Sequence, residues 1–142
     1  MEEKTIRTAS RPSNVNLRTS GTPRRDICDR TFRFAVEVVS LCRSLEKADS
    51  ATRTLGRQLI RSGTSIGANV EEAQGGQSRA DFISKYAIAR KEARETRYWL
   101  RLLVATNIVA EEGVSPLVQE VNELIAILTT IIKKTQKNGD GR

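Results

Sequence analysis

The chain has 142 residues, with 24 Lys and Arg against 17 Asp and Glu, a formal net charge of +7 and a pI near 9.9. It contains no histidine, two cysteines, one methionine and one tryptophan, which excludes histidine-dependent triads and zinc sites with histidine ligands. Aromatics make up 4% and hydrophobics 38%, a size and composition suited to one helical domain rather than a β-sandwich.

In chain order, residues 1–28 are rich in Arg, Ser, Thr, Asn and Pro and show almost no apolar periodicity. Such a stretch cannot offset its ordering entropy by burial, and it is expected to be a disordered basic arm. The first helix is expected over 30–46, where Phe34, Val38, Leu41 and Leu45 recur at helical spacing. The second starts near Ser50 and stops at the Gly75-Gly76 pair. Ser78 with Asp81 three residues on resembles a capping box and opens a third helix reaching about Asn107. On that helix Phe82, Tyr86, Ala89, Ala93, Thr96, Leu100 and Leu103 form one apolar stripe. Ser115-Pro116 reads as an N-cap followed by proline at the first helical position. The fourth helix then carries Leu117, Val121, Leu124, Leu128 and Ile131. The chain is thus expected to be all-α, an antiparallel up-down four-helix bundle over 29–135 with flexible basic tails at 1–28 and 136–142. Six cations against three acids in 1–28, and four against one in 133–142, leave the middle at +1.

Cys28 and Cys42 lie fourteen residues apart with no C-x-x-C spacing, so both are expected to be free thiols in a reducing cytoplasm, with no metal and no cofactor. The N-terminus has no apolar signal core, and the longest nearly apolar run, 124–132, is broken by Thr129 and Thr130. It is too short to span a bilayer. The chain accordingly reads as soluble and cytoplasmic with no membrane partner.

Four features bear on function. A second stripe on helix three, Asp81, Lys85, Ile88, Glu92, Glu95, Trp99 and Leu102, either packs against another subunit or widens the core face with its charges solvated. Val118, Ile125 and Ile132 form a surplus apolar stripe on helix four, which supports oligomerisation. Two arginine ladders follow, Arg53, Arg57 and Arg61 on helix two and Arg90, Arg94, Arg97 and Arg101 on helix three. Like charges one turn apart cost roughly 0.2 to 0.5 kcal/mol per pair, so something outside each helix should compensate. Either phosphates do so, which suits the planar guanidinium, or Glu71, Glu72, Glu92 and Glu95 do. Gly63 and Gly67 each cost roughly 1 kcal/mol inside a helix relative to Ala, and their role is expected to be close approach by another helix. Ser65 and Asn69, one turn apart, are expected to reach across to Glu92 or Glu95 and fix register. No general-base constellation or activated nucleophile is visible, and the chain reads as non-enzymatic.

The run over 65–103, SIGANVEEAQGGQSRADFISKYAIARKEARETRYWLRLL, resembles the four-helix-bundle family encoded in 23S ribosomal RNA intervening sequences. Its specific pieces are Ser65-Ile66-x-x-Asn69-Val70-x-Glu72, Ser78-x-x-Asp81-Phe82, and Lys91-Glu92-Ala93-x-Glu95-Thr96-x-Tyr98-Trp99-Leu100. The likeness extends over about 30–135. Where many members carry Ala-Glu-Gly, this chain has Glu71-Glu72-Ala73. The resemblance implies a bundle that assembles into a ring-like homopentamer with no established enzymatic activity. That family is similar in turn to the accessory variability proteins of diversity-generating retroelements, basic pentamers that bind nucleic acid and a reverse transcriptase. The implied partners are a second copy of the chain, an RNA or DNA backbone, and a reverse transcriptase or other protein.

Two functions remain as expectations. In the first, the protein binds nucleic acid, RNA before DNA, through Arg53, Arg57, Arg61, Arg90, Arg94, Arg97, Arg101 and the tails. In that reading Ser65, Asn69, Glu72, Asp81, Lys85, Glu92, Glu95 and Trp99 serve the oligomer interface or the register. In the alternative, the protein is a scaffold whose arginines form subunit salt bridges and touch no nucleic acid.

Overall fold

Four α-helices fill the residues that the computed structural model describes, 23–140: α1 Pro23–Leu45, α2 Ser50–Gln74, α3 Arg79–Ala105 and α4 Glu111–Asp140. No strand occurs among the described residues. α1 packs chiefly on α2, α2 on α3 and α3 on α4, while α1 meets α4 only lightly. Cross-helix partners give the directions. Gly56, Gly63 and Gly67 of α2 face Leu45, Val38 and Thr31 of α1 in reverse order. Arg61 and Glu72 of α2 meet Glu95 and Lys85 of α3, also in reverse order. Arg97 of α3 bonds Asn122 while Arg79 crosses Gly139, so each helix runs antiparallel to the one before it. This is an up-down four-helix bundle.

The core follows the apolar periodicity of each helix. α3 contributes Tyr86, Ala89, Ala93, Thr96, Leu100 and Leu103, and α4 contributes Val114, Leu117, Val121, Leu124, Leu128 and Ile132. α2 supplies Leu59, Ile66 and Val70 with Gly63 and Gly67 between them. A Cβ on Gly63 would lie 2.8 Å from Val38 Cγ1, and one on Gly67 would lie 3.3 Å from Thr31 Oγ1. The two glycines therefore set how closely α1 approaches α2.

The helix ends show which local signals governed folding. Asp49 accepts from the Thr52 amide at 2.8 Å and Ser78 from the Asp81 amide at 3.1 Å, so both side chains act as N-caps. α3 ends in a Schellman turn: Asn107 takes φ 58°, the Ile108 amide donates to the Leu103 carbonyl and the Asn107 amide to the Val104 carbonyl.

Three boundaries and two core positions differ from expectation. α1 starts at Pro23 rather than near Arg30, because Ile27 and Thr31 are buried and bring the preceding turn into the bundle. Helical residues 23–28 therefore do not belong to a disordered arm, while the expectation for 1–22 lies outside the described residues. α4 begins at Glu111 and carries Pro116 inside it, because burial of Val114 draws in a turn that lies before the proline. α4 also continues to Asp140, so 136–140 is helix rather than tail. Finally, Cys42 and Ile132 are buried where Leu41 and Ile131 were expected, and these two are only partly buried against the core. By length and composition α4 is apolar enough to cross a bilayer, in contrast to the expectation from the 124–132 run. Here its apolar face lines the bundle core, and Glu120 and Glu123 on its flank hold Arg30 of α1.

Candidate nucleic-acid interface

The seven ladder arginines fall into three environments. Residues spaced four apart on a helix advance about 40° around its axis at each step. The α2 ladder therefore winds, and its ends serve different neighbours. Arg53 and Arg57 line a groove of about 390 Å³ with Arg43, Glu46 and Ile60 at the α1–α2 edge. Arg61 turns toward α3, where it bonds Glu92 at 3.5 Å and Glu95 at closer range. The spacing of four, three and four on α3 averages close to a helical turn, so Arg90, Arg94, Arg97 and Arg101 stay on one strip beside the core. Arg97 donates to Asn122 Oδ1 of α4 at 3.0 Å. Among the described residues Arg90, Arg94 and Arg101 have no carboxylate within ion-pair distance. Arg94 and Arg101 are exposed and Arg90 is half-buried. The ladders do not form one continuous basic face.

The charged stripe on α3 lies on the opposite flank, against α2. Lys85 pairs with Glu72 at 2.6 Å. Trp99 Nε1 donates to Glu95 at 3.4 Å. Burial and the neighbouring Glu95 push the Glu92 carboxyl above the ordinary carboxylate range, and Arg61 does not reverse this, because one cation serves two acids. Asp81 and Ile88 are exposed, while Leu102 is half-buried.

Ser65 and Asn69 differ from expectation. Ser65 Oγ donates to the Arg61 carbonyl at 2.6 Å and Asn69 Nδ2 to the Ser65 carbonyl at 2.8 Å. Both bond back along their own helix, as short polar side chains commonly do. The fully buried polar link between α2 and α3 is instead the pair Thr96 Oγ1 to Ser62 Oγ at 2.9 Å. Sequence reasoning placed Thr96 on the core stripe, and a hydroxyl there demands a buried partner. Also missed was the clamp from Arg30 to Glu120 and Glu123 across the lightly packed α1–α4 seam, at 2.8 and 2.6 Å. Its sequence signal is a pair of acids three residues apart on the face of α4 opposite Asn122. Tyr98, 55% exposed beside the ladder, carries no apolar periodicity, and the sequence named it only within the family motif, with no role of its own.

Comparison with known proteins agrees with this architecture. The family model described as 23S rRNA-intervening sequence protein matches residues 24–130. A solved structure from Bacteroides thetaiotaomicron, of a protein with unknown function from the S23 ribosomal protein family, is similar at 42% identity and a TM-score of 0.73. The likeness covers 78% of this chain and 97% of that one. No curated protein matches. With the family model spanning α1 to most of α4, the chain belongs to the 23S rRNA-intervening sequence protein family.

Proposed function

We propose that the protein is a non-catalytic nucleic-acid-binding protein that works as a homo-oligomer, with RNA as its first ligand. One observation carries this reading: Arg90, Arg94 and Arg101 share a strip of α3 with no carboxylate within ion-pair distance among the described residues. From Arg90 to Arg101 the helix rises about 16 Å, over which one strand of a duplex advances roughly five phosphates. Guanidinium groups so spaced suit a phosphate backbone and carry no base code. Repetition in an oligomer multiplies these contacts, and five copies, the number the family resemblance implies, would give strong binding from weak single sites. The test is fluorescence anisotropy with a labelled structured RNA. Arg90→Glu with Arg94→Glu is expected to weaken binding at least tenfold while light scattering shows the assembly intact. Unchanged affinity would overturn the reading.

A specific feature favours the scaffold as a second reading. Phe32 is 62% and Val36 54% exposed, and with Val39 they line an apolar groove of about 560 Å³ along α1. Exposed apolar patches of this kind mark contact surfaces. A protein whose only contacts run through this groove would assemble and leave RNA unbound.

A further inference from the structure

Where α3 and α4 meet at the Asn107 turn, a cleft of about 490 Å³ opens on the ladder side of the molecule. Its wall on α3 is Tyr98, Arg101 and Leu102, and its wall on α4 is Glu111, Ser115 and Val118. The volume lies in the range of small-molecule sites. Tyr98 is held in place by an edge contact with Trp99, ring centroids 5.1 Å apart and planes at 74°, which leaves more than half of the residue open to solvent. One turn further on, Arg101 is exposed and has no carboxylate partner among the described residues. The cleft thus combines a braced aromatic face, an apolar floor, hydrogen-bonding groups and one cation at its edge.

This combination matches one nucleotide unit. A base has apolar faces that stack on an aromatic ring and a polar edge, and its phosphate is an anion. Glu111 sets the orientation, since its carboxylate repels phosphate and accepts from exocyclic amino groups. We infer that the cleft takes one unpaired nucleobase stacked on Tyr98, with its phosphate on Arg101 and the amino edge of cytosine, adenine or guanine toward Glu111. This rests on the nucleic-acid reading and names its ligand: a single strand, or a loop with splayed bases, because duplex bases are stacked on both faces. Arg94 and Arg90 then continue the phosphate track along α3.

The experiment uses the full chain with three probes: free cytidine monophosphate followed by Trp99 fluorescence, and a labelled oligocytidylate and a labelled RNA duplex followed by anisotropy. Quenching of Trp99 by cytidine monophosphate is expected, with weaker quenching by uridine monophosphate. Tyr98→Ala should lower affinity for oligocytidylate at least fivefold, the loss expected for one stacked base. Tyr98→Phe should restore it, and duplex affinity should stay unchanged. Arg101→Gln, which leaves the ring in place, should weaken oligocytidylate binding as well, and it decides the matter if the alanine variant is unstable. Duplex binding equal to or better than single-strand binding, with both indifferent to Tyr98→Ala and Arg101→Gln, overturns the cleft and leaves the phosphate strip standing. Quenching by the mononucleotide with no binding of either polymer supports the cleft and removes the polymer reading.

Discussion

Asn107 and Cys42 show how single residues set local energetics. At Asn107 the backbone enters the left-handed region, φ 58°, so that its own amide and that of Ile108 can close the end of α3. Asn tolerates this conformation and Gly does so without strain, whereas a Cβ-bearing apolar residue costs roughly 1–2 kcal/mol there. Asn107→Ala should therefore lower unfolding free energy by about 1 kcal/mol in urea titration, and Asn107→Gly should not. The Cys42 thiol donates to the Gly56 carbonyl at 3.3 Å, and burial first, then Glu46, pushes it up from 9.0 to about 11. Its folded value lies above its unfolded one, so its contribution to stability is full below about pH 9 and is lost as pH rises through 11. The urea midpoint should fall across that window, and Cys42→Ala should flatten the fall. Cys28 is half-buried and its thiol is also raised, by burial, Glu71 and Asp29. A thiol reagent at about pH 8 should label Cys28 slowly and Cys42 only after unfolding.

Helices were legible in the sequence wherever a side chain fixed an end or a period was long. Ser78 caps as a short acceptor does, and the α3 core stripe reads directly from Tyr86 to Leu103. Proline misled. A proline at the first helical position was assigned to Pro116, which lies within α4, whereas Pro23 opens α1. Periodicity alone could not separate them, because burial of Ile27 and Val114 across the bundle decided both starts. The close approach at Gly63 was legible because glycine inside a helix needs a reason. Gly63→Ala should clash with Val38 and cost about 1–3 kcal/mol. Adding Val38→Ala should recover part of the clash, so a double-mutant cycle in urea should give a coupling of at least 0.5 kcal/mol. In contrast, the fate of the α2 ladder was not legible. Only the fold shows that Arg61 faces two acids of α3 while Arg53 lies toward α1.

At the scale of the whole molecule, the net charge of +7 says little about where an anion would sit, since it fixes the total and not the placement; among the described residues Arg30, Arg61 and Lys85 are held by internal acids. What matters is segregation: the acids Glu72, Glu92 and Glu95 gather on the α2–α3 flank, and Arg90, Arg94 and Arg101 on the other side of α3. A third surface, the apolar side of α1, leaves Phe32 and Val36 open to solvent. If that surface joins the copies, Phe32→Asp with Val36→Asp should reduce the light-scattering mass to that of a single chain, 15.8 kDa, while circular dichroism stays helical. Retention of the larger mass would place the subunit contact elsewhere. The account as a whole requires the oligomer and the phosphate strip together, and salt separates them, because counterion release weakens nucleic-acid binding while apolar contacts persist. The most direct measurement is the light-scattering mass of nuclease-treated protein, with and without structured RNA, at low and at moderate salt. The expected result is an assembly of about five chains, the number the family resemblance implies, whose mass rises with RNA at low salt and returns to the protein value at moderate salt. An assembly whose mass ignores RNA at every salt would contradict it.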